Sequence, residues 1–173
     1  MRVPDLGSRG QGWVLLQLVL MAFIALAGAA SSVAGGPAGT VLIVAGGTSI
    51  VTGGVMAYLG SRALGRSFTP DPRPLERAQL VETGIYASVR HPIYGGVTLG
   101  ALGWGLLNGS PLAIALSGVL LLVFYLKSIR EEAWLVERYP AYADYRRRTG
   151  RFFPRLVAAD DPPDARPDTR GTD

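Results

Sequence analysis

No Asp, Glu, Lys or Arg occurs between Arg9 and Arg62, and none occurs between Arg90 and Lys127. A run of about 18 or more uncharged, mostly apolar residues is long enough to cross a bilayer as a helix. The first gap holds two such runs, 13–33 and 40–59, parted by the turn sequence Gly35-Gly36-Pro37. The second gap is shorter and breaks at Asn108-Gly109-Ser110-Pro111. It predicts a tight helical hairpin with spans over 93–107 and 112–127. The expected fold class is therefore an all-α integral membrane protein with about four transmembrane helices.

The charges fix a topology for these spans. Of the 17 basic residues, two precede the first span, five lie between the second and third, and ten follow the third and fourth. Neither opposite turn carries one. The positive-inside rule then places both termini in the cytoplasm of a multi-pass inner-membrane protein. A cleaved signal peptide is a competing reading, with Arg2 and Arg9 before an apolar core and Ala27-Gly28-Ala29 as the cleavage site. The apolar run continues past that site to Val33, which favours a retained span.

Composition narrows the chemistry. Charged residues make up 17% of the chain, against about a quarter in soluble domains. There is no Cys and one His, so disulfides, thiol catalysis and cysteine or multi-histidine metal sites are excluded and no metal ligand set is assigned. The net charge of +4 gathers at the ends of spans, which points to the lipid bilayer as partner and not to nucleic acid. A domain over 1–155 is expected, with 156–173, rich in Asp, Pro and Arg, as a disordered tail.

The polar sections differ in character. Residues 60–90 carry repeated prolines and read as irregular, with one short helix near 75–80. Beyond Lys127 the fourth span should continue as a helix out of the membrane, with Lys127 and Glu131 on one face. A cytoplasmic helix is expected over about 140–149, started by Pro140 and ended by Gly150. Tyr139, Tyr142 and Tyr145 recur every three residues and read as a stripe at headgroup level. Within the spans, Gly96 with Gly100 and Ala101 with Gly105 have the small-xxx-small spacing that lets helix backbones approach.

Ionisable residues at a membrane edge are the first candidates for function. One cluster is Tyr86, Arg90, His91 and Tyr94, where the chain enters the third span behind Pro92. The other is Arg130-Glu131-Glu132, where the fourth span leaves on the same side. A hairpin must bring these ends together. Taken singly, the first reads as a headgroup anchor and the second as a solvated helix turn; together they make a pocket with a positive and a negative end. No GxGxxG after a strand and no P-loop is present.

Three segments carry a resemblance. They are Leu64-Gly65-Arg66-Ser67-Phe68-Thr69; Gly84-x-Tyr86-x3-Arg90-His91-Pro92-x-Tyr94-x-Gly96; and Glu131-Glu132-x2-Leu135-x3-Tyr139-x2-Tyr142-x2-Tyr145-x3-Thr149-x-Arg151-x2-Pro154. In order and spacing the chain resembles the isoprenylcysteine carboxyl methyltransferases and the related phospholipid methyltransferases. The resemblance implies a membrane-embedded methyltransferase that uses S-adenosylmethionine on a lipophilic or lipid-linked acceptor. It implies a cofactor pocket of Tyr86, Arg90, His91, Tyr94, Gly96, Glu131 and Glu132. It also implies that Arg151 closes the pocket or holds an acidic substrate group, so that Arg90, His91 and Arg151 are the candidate catalytic residues. Substitution of His91 or Glu132 is expected to abolish cofactor binding and leave the hairpin folded.

Methyl transfer from a sulfonium asks mainly for alignment and exclusion of water. A carboxylate acceptor needs a cationic partner and no base; an amine acceptor must first lose a proton. O-methylation of a carboxylate is slightly favoured. One alternative is an NADPH-dependent reductase of the membrane sterol type, which shares Arg-His-Pro-x-Tyr. There an Asn usually follows the Pro, where this chain has Ile93, and Arg146-Arg147-Arg148 would have to hold the 2′-phosphate. The other alternative is a non-catalytic membrane scaffold or transporter subunit. The basic triplet by itself reads as a contact to anionic headgroups.

Overall fold

A computed structural model of the protein describes residues 4, 6, 7, 10–65 and 80–155. The short helix expected near 75–80, most of the Leu64–Thr69 motif and the tail expected at 156–173 fall outside them. The described chain is helical: α1 (Gln11–Ala29), α2 (Pro37–Leu64), a 3-10 turn (Gly84–Ala87), α3 (Pro92–Leu107), α4 (Pro111–Arg138) and α5 (Tyr142–Arg148).

Helices α1, α2 and α4 are long and apolar enough to cross a membrane. Helix α3 has 16 residues, a length of about 24 Å at 1.5 Å per residue. It is flanked by Pro92 at its start and by the apex turn at its end. Gly109 supplies the turn with a positive φ of 59° and a surface so close to Val33 that a side chain would meet it at 2.9 Å. Ser110 then caps α4, accepting from the Ala113 amide at 3.3 Å, and its hydroxyl donates to Ala27 O of α1 at 3.0 Å.

The principal helix pair is α2 against α3, antiparallel, and it is built from glycine. Gly39, Gly46, Gly53 and Gly60 repeat every seven residues along α2 and are its buried positions. A methyl group on Gly53 would stand 2.4 Å from Gly96 O, and one on Gly96 would stand 2.4 Å from Gly53 O. Gly46 and Gly103 form the same reciprocal pair at 2.7 and 2.6 Å. Gly60 does so against Pro92 and Ile93 at the start of α3. In lipid no hydrophobic effect drives helices together, so close packing of backbones must do it. Gly105, on another face of α3, gives the same close approach to Ile114 of α4 at 2.9 Å.

Helix α1 lies against α4 and α3. Its Gly28 receives the Trp104 indole, whose Nε1 donates to Ala25 O at 3.3 Å. A small core of Ile24, Ala113, Leu120, Phe124 and Phe152 sits where α1, α4 and the C-terminal segment meet.

Two expectations change here. Tyr142 and Tyr145 are 1% and 3% exposed, so they are packing residues of the C-terminal cap and not a headgroup stripe. The reason is that α5 packs against α4 and the 3-10 turn, where Tyr145 Oη donates to Tyr86 O at 2.7 Å. Gly150 does not end α5 through a left-handed cap, since its φ is not positive. Thr149 caps the helix, and Gly150 is small because its neighbour Phe153 O passes where a side chain would be.

The glycine faces predict opposite responses to one methyl group. Gly53→Ala should lower stability by about 1–3 kcal/mol through overpacking. Gly47→Ala, with nothing within 4 Å of the added carbon, should be neutral or stabilising by up to about 1 kcal/mol. Thermal unfolding of the two variants in one detergent checks this.

Candidate active site

The polar ends of α3 and α4 meet, and the C-terminal segment closes over them. Three backbone hydrogen bonds hold the segment in place: Gly150 N to Ser88 O at 3.0 Å, Arg90 N to Gly150 O at 2.9 Å and His91 N to Arg151 O at 2.9 Å. They form a single parallel bridge, Val89 with Gly150. Gly95 allows it, because a side chain there would meet Phe152 O at 2.7 Å. This bridge has no signature in either segment taken alone.

Glu132 is the centre of the cluster. Its side chain is 2% exposed. Oε1 accepts from Arg90 Nε at 3.0 Å and from His91 Nε2 at 3.2 Å. Oε2 accepts from Arg151 Nη2 at 3.2 Å. A carboxylate can only accept, so His91 donates from Nε2 in this contact. Arg90 Nη1 donates to Arg146 O at 2.9 Å and also faces Thr149 O and Oγ1. Arg151 also donates to Ser128 Oγ and stacks on Tyr125, 4.9 Å from the ring centre.

Glu131 is the freer carboxylate, with 25% of its side chain exposed. Oε2 accepts from Tyr94 Oη at 2.9 Å and lies 3.7 Å from His91 Nδ1. The rings of His91, Tyr94 and Phe124 stack in sequence, with centres 5.4 and 4.7 Å apart and planes within 5°. Phe152 meets His91 edge-on at 6.2 Å. Tyr86 is buried beside them, and its carbonyl accepts from Tyr145 Oη at 2.7 Å.

Electrostatics follow from this packing. The apolar stretch of α4 ends at Leu126, and residues 127–138 carry its charges, so Glu132 lies beyond the spanning part. Burial pushes its carboxyl up, but the His91 hydrogen bond and the charges of His91, Arg90 and Arg151 outweigh burial and bring it down to about 2. Burial pushes the Tyr145 phenol up to about 12 against the pull of Arg90. Burial and the Glu131 charge push Tyr86 up as well.

Tyr86, Arg90, His91, Tyr94, Glu131, Glu132 and Arg151 are thus gathered in one cluster. Gly96 stands apart from it. It faces α2 at the Gly53 contact and lines a separate apolar cavity of about 390 Å³ between α1, α2 and α3. Ala25, Gly54, Ala57, Val97 and Trp104 line the same cavity. Of the seven-residue glycine repeat of α2, Gly53 lines this cavity. Of the basic triplet, Arg147 and Arg148 are exposed and pair with Asp144 and Glu82.

A helical protein with membrane-length spans and a buried ion network at one end of a helical hairpin is the class defined so far. Residues 41–142 match the phospholipid methyltransferase family, and the chain belongs to that family. Two relatives are similar over part of their length. The cobalt-zinc-cadmium resistance protein CzcN of Cupriavidus metallidurans is 43% identical over 81 residues, 44% of this chain and 36% of the relative. The nickel-cobalt-cadmium resistance protein NccN of Alcaligenes xylosoxydans xylosoxydans is 43% identical over 82 residues, 45% of this chain and 37% of the relative. The match thus spans little more than a third of either relative's length.

Glu132 changes the expected result of its own substitution. Glu132→Ala leaves Arg90, His91 and Arg151 without their shared acceptor, so it should unfold the hairpin's polar end, at a cost of about 3–5 kcal/mol. The pH dependence has the sign of a depressed carboxyl. The contribution of Glu132 is complete above its ordinary value of 4.5 and is lost as pH falls toward about 2. Thermal melts between pH 7 and pH 2 should show that acid limb in the wild type and a flatter one in Glu132→Gln.

Proposed function

We propose that the protein transfers a methyl group from S-adenosylmethionine to a lipophilic or lipid-linked acceptor at the cytoplasmic face of the inner membrane. The observation that carries this reading is the Glu131–Tyr94–His91 cluster in a phospholipid methyltransferase family member, one turn of α3 from an apolar cavity. The donor set fits the cofactor: a part-exposed carboxylate suits ribose hydroxyls or the amino group, and stacked rings suit the sulfonium and the base.

When bound, that cofactor supplies an already activated methyl group. The chain's residues then need to orient and to exclude water. In this reading Glu131 takes the cofactor's hydroxyl or amino groups, with Tyr94 fixing its orientation. Arg90 and Glu132 act through positioning: Arg90 joins Glu132 to the C-terminal segment, and Glu132 also holds His91 and Arg151. Gly96 serves by letting α2 pack against α3 beside the cavity, where the acceptor's hydrocarbon part would lie. Arg151, 24% exposed, is the cationic side chain left to face an acceptor carboxylate, which favours O-methylation. The names of CzcN and NccN carry a second reading, a part for this chain in tolerance of cobalt, zinc, cadmium or nickel.

Calorimetry in detergent, with S-adenosylhomocysteine and NADPH titrated separately, tests the cofactor. The homocysteine compound should bind and NADPH should not; the reverse result would establish the reductase instead. Glu131→Gln should weaken binding by tenfold or more, about 1.4 kcal/mol, with the melting temperature nearly unchanged.

A further inference from the structure

Helix α1 lies outside the family match, which begins at residue 41. It nonetheless reaches the candidate site. Lys127 of α4 is fully buried, and its Nζ donates to Gln17 Oε1 of α1 at 2.7 Å. The same Nζ stands 5.0 Å from the centre of the Tyr94 ring and 6.0 Å from that of Phe124. Tyr94 is the middle ring of the His91–Tyr94–Phe124 stack and the hydroxyl donor to Glu131. An amine over an aromatic face is attracted to it, more strongly where water is excluded. A lysine among apolar helices is also costly unless a polar group accepts a hydrogen bond from it. Gln17 is the polar side chain that α1 brings to that place.

From these contacts we infer that Gln17 and Lys127 are positioning residues for the cofactor site. Gln17 holds the Lys127 amine over the Tyr94 ring, and the ring so held sets the Tyr94 hydroxyl on Glu131. Helix α1 is then part of the site and more than an anchor. The inference rests on the S-adenosylmethionine reading above. It goes beyond that reading in assigning a role to a helix that carries none of the family's residues. Neither side chain touches the reacting atoms. Their effect is on cofactor affinity through the placing of Glu131, and turnover at saturating cofactor changes less.

The test uses the full-length protein in detergent with 3-fluorotyrosine at position 94. The fluorine resonance reports the charge over the ring and the hydroxyl's hydrogen bond, independently of any cofactor. Gln17→Leu and Lys127→Met should each move the resonance, and Lys127→Arg should keep it near the wild-type position. In unlabelled protein the first two should weaken S-adenosylhomocysteine binding about tenfold and raise the KM for cofactor more than they lower kcat, with Lys127→Arg restoring most of the affinity.

An unmoved resonance in both Gln17→Leu and Lys127→Met overturns the contact. A moved resonance with unchanged affinity overturns the positioning role. A Lys127→Arg protein as impaired as Lys127→Met shows a packing role and also overturns it. If the wild type itself binds no S-adenosylhomocysteine, the cofactor reading fails, and the positioning claim falls with it whatever the resonance shows.

Discussion

One buried carboxylate organises the polar end of this protein. Glu132 sits on α4, yet its partners come from the chain before α3 and from the segment after α5. Two guanidiniums and an imidazole share its two oxygens. A single charge so enclosed would be very costly alone, and each cation would be costly without it. The network therefore forms as a unit or not at all. The Val89–Gly150 bridge and the Phe152 contact to His91 lie beside it and join the same two segments, as do the Arg90 bond to Arg146 and the Tyr145 bond to Tyr86.

The α2–α3 pair obeys a different rule. Among the described residues no ion pair joins α2 to α3. Their reciprocal glycine contacts bring carbonyl oxygens next to the opposing Cα, a geometry that also allows weak Cα–H···O bonds. Polar satisfaction at one end and backbone proximity along the shaft thus share the work. Both place Tyr94 and Glu131 opposite each other, one from the start of α3 and one from the end of α4.

The helical architecture was legible because charge-free runs are a direct statement about solvent. The cluster of Arg90, His91, Glu131 and Glu132 was legible because a hairpin leaves its ends nowhere else to go. What escaped the sequence was the partner of each residue. Two adjacent glutamates look alike in the chain, yet one is saturated and the other part-exposed, since successive helical residues point about 100° apart. The α2 glycines were not singled out, because their period of seven spans two turns. Nothing in the local pattern discloses the partner of Gln17, which is 110 positions away.

The brevity of α3 has a consequence for the surrounding lipid. A span of about 24 Å falls several ångströms short of a hydrocarbon layer about 30 Å thick. Such a mismatch is met by local thinning of the bilayer or by tilt, each at modest cost. Longer α2 and α4 flank it, so the deficit is confined to one narrow side of the bundle. On the proposed reading, such a deficit would bring the boundary between headgroups and acyl chains toward the cavity lined by Gly53 and Gly96, so that an amphiphile could present its polar end to the ion cluster while its tail stayed in oil.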